Sequence, residues 1–104
     1  MDHLSPGVDA LVELEHKTIV EKWGNGYHSD HEAHAVLLEE IEEAQEKLDS
    51  VKTWHGRVWN SIRENMDVTE DKLKRIESEA MDLAAEAVQI AAVARRWRGG
   101  LQGE

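Results

Sequence analysis

Cysteine is absent from the 104-residue chain, which excludes a disulfide framework, a thiolate metal site and a cysteine nucleophile. Phenylalanine is absent too, aromatic residues make up 5%, and proline occurs once. With sheet formers and turn signals this scarce, the composition favours helices. Positive charge is also in short supply: 12 Lys and Arg stand against 22 Asp and Glu, a formal charge of −10. That balance repels a nucleic-acid backbone and an anionic membrane, so neither is expected as a partner. No stretch approaches the roughly 20 apolar residues of a spanning helix, and the first residues show no basic segment followed by an apolar run. The cytoplasm is the expected location. A single domain over residues 1–104 is expected, at a size where association between copies adds useful burial.

What the chain does have is helical periodicity. Ser5-Pro6 reads as an N-cap with proline at the first helical position, opening a helix over about residues 6–22. Two glycines then break the pattern in Trp23-Gly24-Asn25-Gly26-Tyr27-His28, and Ser29 or Asp30 caps the next helix. Trp23 at that helix end either closes the core or offers a platform to a planar ligand, and packing is the commoner use. A second helix is expected over residues 31–50. Residues 51–65, with Trp54, Val58, Trp59 and Ile62 at helical spacing, form either a third helix or an extension of the second past Gly56. The two tryptophans read as core or subunit contacts before ligand sites. Asp67 with Glu70, or Thr69 alone, caps a last helix running to about Arg98. Its apolar positions Leu73, Ile76, Ala80, Leu83, Ala87, Ile90, Ala94 and Trp97 step by three and four, as in a bundle seam or a dimer contact. Gly99-Gly100 is expected to stop it, leaving residues 98–104 as a loose tail. The fold class expected is all-α, a four-helix bundle completed by oligomerisation.

Carboxylates carry the chemistry. In Leu37-Leu38-Glu39-Glu40-Ile41-Glu42-Glu43, the stripe of Leu37, Ile41, Ala44 and Leu48 shares one face, with Glu40 roughly 70° and Glu43 roughly 130° from its centre. Glu40 and Glu43 are i,i+3 neighbours able to hold one cation, whereas Glu39 points away from the core. Glu79-Ala80-Met81-Asp82 repeats the placement beside the stripe of the last helix. Four such carboxylates repel one another unless a divalent cation neutralises them, and hard oxygen ligands select Mg²⁺ or Mn²⁺. In so glutamate-rich a chain, however, ExxE also arises by chance on solvated faces. His31-Glu32-Ala33-His34 is one residue short of HExxH, and Glu13-Leu14-Glu15-His16 supplies one ExxH where a ferritin-like di-iron bundle needs two.

Glu39-Glu40-Ile41-Glu42-Glu43 with Glu79-Ala80-Met81-Asp82 resembles the EExxE and ExxD motifs of MazG-like proteins, in the all-α nucleoside triphosphate pyrophosphatase superfamily. His31-Glu32-Ala33 through Glu40, with Ala85-Glu86-Ala87-Val88-Gln89-Ile90-Ala91-Ala92, is similar to the small MazG-like proteins of bacteria and their phages. The likeness covers roughly residues 15–97. It implies a Mg²⁺-dependent pyrophosphohydrolase that splits a nucleoside triphosphate between its α and β phosphates, in a homodimer or homotetramer. By position it makes Glu40, Glu43, Glu79 and Asp82 metal ligands, with Glu39 as a further ligand or the base that orients water. Two registers are open on the second motif, since Glu86-Ala87-Val88-Gln89 also aligns with ExxD, with Gln89 in place of the acid. Glu86 lies on the same edge as Glu79 and Asp82 and is retained as a candidate ligand. Trp23, Lys47, Lys52 and Arg57 are the substrate-binding candidates, with Arg63 as a further cation. The competing reading is a catalytically inactive helical module that uses Trp54, Trp59 and the seam of the last helix to bind itself or a partner.

Overall fold

The computed structural model describes residues 2–101. A 3-10 turn over Asp2–Leu4 leads into α1 (Ser5–Trp23), followed by α2 (Asp30–Arg63) and α3 (Glu70–Leu101), with no strand among the described residues. α2 and α3 have 34 and 32 residues, each about 50 Å long at 1.5 Å per residue. Three cross-links show that they run antiparallel. Trp97 Nε1 donates to Asp30 Oδ1 at 2.9 Å at one end, Lys47 Nζ donates to Asp82 at 3.5 Å midway, and Lys72 Nζ donates to Ser61 Oγ at 2.6 Å at the other end.

α1 lies across the C-terminal part of α3. Arg95 pairs with Asp9 at 3.3 Å, while Arg96 donates to the carbonyls of Trp23 and Gly24 at 3.3 and 3.0 Å. Both ends of α1 are thus tied to one turn of α3, and the rest of the hairpin extends without it. The body measures 60 × 30 × 22 Å with a radius of gyration of 17.7 Å, where a compact chain of this length would give about 13 Å. The core is correspondingly thin. Among the described residues Val12, Ala33, Ala92 and Val93 are the buried apolar ones, and no large side chain is fully enclosed.

Among the described residues three α-helices stand where four are expected, because the second continues through Gly56 without a break. A helical glycine costs about 1 kcal/mol relative to alanine, which the contact with α3 offsets. The stop comes instead at Asn65, whose φ of 57° is the left-handed conformation that asparagine tolerates better than most residues. Asn65 N–H donates to Ile62 O at 3.1 Å and Met66 N–H to Ser61 O at 2.8 Å, the paired 5→2 and 6→1 bonds of a Schellman motif. At the other helix starts, Ser29 Oγ accepts from Glu32 N–H and Thr69 Oγ1 from Lys72 N–H, whereas Ser5 lies inside α1 and no side chain caps that helix.

Gly99-Gly100 do not end α3, which runs on to Leu101; residues 102–104 of the expected tail lie outside the described residues. The glycines serve packing. A Cβ on Gly100 would stand 2.7 Å from Gly26 Cα, and one on Gly26 would stand 2.9 Å from Gly100 Cα. The backbones of the α1–α2 loop and of α3 therefore touch, and Gly26 also holds a φ of +79°, which side chains resist.

Candidate functional site

The antiparallel register decides which carboxylates meet. Lys47 of α2 faces Glu79 and Asp82 of α3, at 3.8 and 3.5 Å. Seven residues are nearly two helical turns and return to almost the same face. Moving seven residues back from Lys47 and seven forward from Glu79 therefore sets Glu40 opposite Glu86. Glu40, Glu43 and Glu86 each place one oxygen within 4.8 Å of the other two.

These three charges strain one another. Glu40 is pushed up from 4.5 to about 7, first by withdrawal from water and then by the charges of Glu43 and Glu86. Glu43 is raised as well, mainly by the Glu86 carboxyl beside it. Glu39 adds its charge to both, which places it beside the cluster although its side chain is exposed. The Oε2 atom of Glu86 is enclosed with no nitrogen or hydroxyl donor beside it, and its carboxyl hydrogen-bonds with those of Glu40 and Glu43 when they are protonated. Adjacent and opposite oxygens in an octahedral Mg²⁺ shell lie about 3 and 4 Å apart, and at most one of the three pairs can be opposite, so separations of up to 4.8 Å shorten by as much as about 2 Å when the three side chains share one ion. The donor set is all-oxygen and anionic, which suits Mg²⁺ or Mn²⁺.

Glu79 and Asp82 are held one to two turns away by Lys47, and in this arrangement they are paired with a cation of the chain itself. Gln89, three residues after Glu86, lines a cleft of about 330 Å³ together with Glu40. The register of the hairpin thus brings the Glu86-Ala87-Val88-Gln89 segment, with its amide in place of an acid, against the first acidic motif.

The same cleft is lined by Glu15, Lys22, Trp23, Tyr27 and Arg96. Trp23 does not close the core: it is 66% exposed, with Lys22 Nζ 5.2 Å from its ring centroid. Arg96 stacks on Tyr27 at 4.0 Å while holding the α1 carbonyls. Lys22, Tyr27 and Arg96 carried no signal in sequence spacing, since they meet Glu40 only through the crossing of α1. The other candidate cations lie elsewhere. Lys47 is engaged by Glu79 and Asp82. Lys52, Arg57 and Arg63 are 12, 17 and 23 residues from Glu40 along one helix, about 18, 25 and 35 Å away. Arg57 stacks on Trp54 at 4.3 Å, with Arg75 at 5.3 Å from the same ring. Trp59 is 54% exposed and so is no core residue.

Comparison of the chain with protein-family models, curated proteins and solved structures returned no match.

Proposed function

We propose that the chain is a Mg²⁺-dependent nucleoside triphosphate pyrophosphohydrolase, of the MazG-like kind, working as a homodimer or homotetramer. The observation that carries the reading is the meeting of Glu40, Glu43 and Glu86, from two helices, within 4.8 Å. A carboxylate pushed to about 7 gains from a cation that replaces the proton it would otherwise take up. Three carboxyls that otherwise share protons among themselves, with Oε2 of Glu86 enclosed between helices, are what a cation satisfies best. When bound, Mg²⁺ supplies charge neutralisation at the phosphates and acidifies a water.

The chain's own residues have distinct parts in this reading. Glu40, Glu43 and Glu86 hold the ion. Glu39, exposed at the rim, accepts the proton of the attacking water. Lys22 lines the cleft beside Glu40 and takes a phosphate oxygen, while Trp23 and Tyr27 offer ring faces to the base. Glu79 and Asp82, held by Lys47, act as a second acidic pair that joins the site only if Lys47 turns to the substrate. The test is pyrophosphate release from a panel of nucleoside triphosphates with Mg²⁺. The reading expects release that Glu40→Gln and Glu86→Gln abolish while the helical circular dichroism signal persists.

A second reading, a catalytically inactive interaction module, is favoured by Gln89 at the acid's position and by the exposed apolar residues of the hairpin. It expects no pyrophosphate release and no rise in melting temperature with Mg²⁺, because a ligand that binds only the native state must stabilise it.

A further inference from the structure

α3 carries two apolar stripes. One, through Ile76, Leu83 and Ile90, shares the α2-facing side with Lys72, Glu79 and Glu86. The other lies roughly 110° around the helix and passes through Leu73, Ala80, Met81, Ala84 and Ala87. α1 reaches only its C-terminal part, where Val8 and Leu11 join Met81 and Ala84 around an apolar groove of about 450 Å³. Leu73, Met81, Val8 and Leu11 are 51%, 66%, 49% and 55% exposed.

Charge says what covers this face. Residues 51–75, at the far end of the hairpin, hold six Lys and Arg against four Asp and Glu, a net of +2. Residues 1–50 hold three against thirteen, a net of −10. The 60 Å rod therefore has a cationic end and an anionic end. Two such rods laid parallel set like ends together, and laid antiparallel they set opposite ends together.

We propose that a second copy of this chain covers the outer stripe of α3 in antiparallel orientation. The cationic tip of each copy then lies along the anionic body of the other, and Leu73 of each fills the other's groove. Ala80 is midway between Leu73 and Ala87, so a two-fold axis at Ala80 brings Leu73 across from Ala87 in both directions. The contact is closed and self-complementary. It gives the assembly proposed above its face and orientation, and its test does not touch the metal site.

Sedimentation equilibrium at micromolar concentration is expected to give about twice the chain mass of 11.8 kDa, and Ala84→Arg to give the single-chain mass with unchanged helical signal. Because the chain has no cysteine, introduced thiols report geometry directly. Ala80→Cys is expected to cross-link to itself on oxidation. Leu73→Cys is expected to cross-link with Ala87→Cys in a mixture and not with itself. A single-chain mass for the unaltered protein, self-cross-linking of Leu73→Cys, or a dimer indifferent to Ala84→Arg would each overturn the proposal.

Discussion

Glu40→Gln keeps the size of the side chain and removes its charge, so it isolates the electrostatic cost of the acidic cluster. The rise of Glu40 from 4.5 to about 7 corresponds to ~3 kcal/mol at 1.36 kcal/mol per unit. Glu40 is only partly withdrawn from water, and solvent screening reduces the expected net effect to ~1 kcal/mol. The sign follows from linkage: the folded state binds the proton more tightly than the unfolded state, so this contribution is fully present below pH 4.5 and is lost as pH rises through about 7. The metal-free protein should therefore lose stability between pH 5 and pH 8 in part through Glu40. Glu40→Gln should match it at low pH and exceed it by ~1 kcal/mol near pH 8, a melting-temperature difference of about 4–8 °C for a domain of this size. Adding Mg²⁺ at pH 8 should reverse the order, because the ion stabilises only the chain with the full ligand set. Thermal melts followed by circular dichroism at both pH values, with and without Mg²⁺, read all four arms. Parallel pH profiles for the two proteins would refute the reasoning.

Five further substitutions, at Gly56, Asn65, Trp97 and Gly100, test the helices and their packing. Gly100→Ala, whose Cβ would press on the Gly26 backbone at 2.7 Å, should cost about 1–3 kcal/mol, whereas Gly56→Ala, with nothing within 4 Å, should gain up to about 1 kcal/mol; denaturant titration of both shows whether the signs differ. Asn65→Gly should be neutral or stabilising at its left-handed φ of 57°, and Asn65→Ala should cost about 1 kcal/mol. Trp97→Phe removes the bond to Asp30 and should lower stability by about 1 kcal/mol, with hydrogen exchange rising first at the start of α2.

The helices were legible because periodicity and caps are local. Ser29 and Thr69, each one of two caps the sequence offered, begin α2 and α3, whereas the single stripe expected on the last helix divides: Ile76, Leu83 and Ile90 are half-buried, and Leu73, Ala80 and Ala87 are exposed. Gly56 and the Gly99-Gly100 pair misled for one physical reason. Glycine marks a break, a tight approach or a tolerated cost, and only the neighbouring backbone says which. Glu40 and Glu43 were legible as one edge of one helix. Their partner on α3 depended on the register of the hairpin, fixed by contacts such as Trp97 with Asp30 and Lys72 with Ser61 that no local pattern contains. Lys22, Tyr27 and Arg96 were out of reach for the same reason, since the crossing of α1 over α3 brings them to the cleft.

The most direct measurement is a calorimetric titration of Mg²⁺ into the unaltered protein and into Glu86→Gln and Asp82→Asn. A metal site built on Glu40, Glu43 and Glu86 predicts binding to the unaltered chain and to Asp82→Asn, and its loss in Glu86→Gln. Binding that survives in Glu86→Gln, or no heat from any of the three, contradicts it.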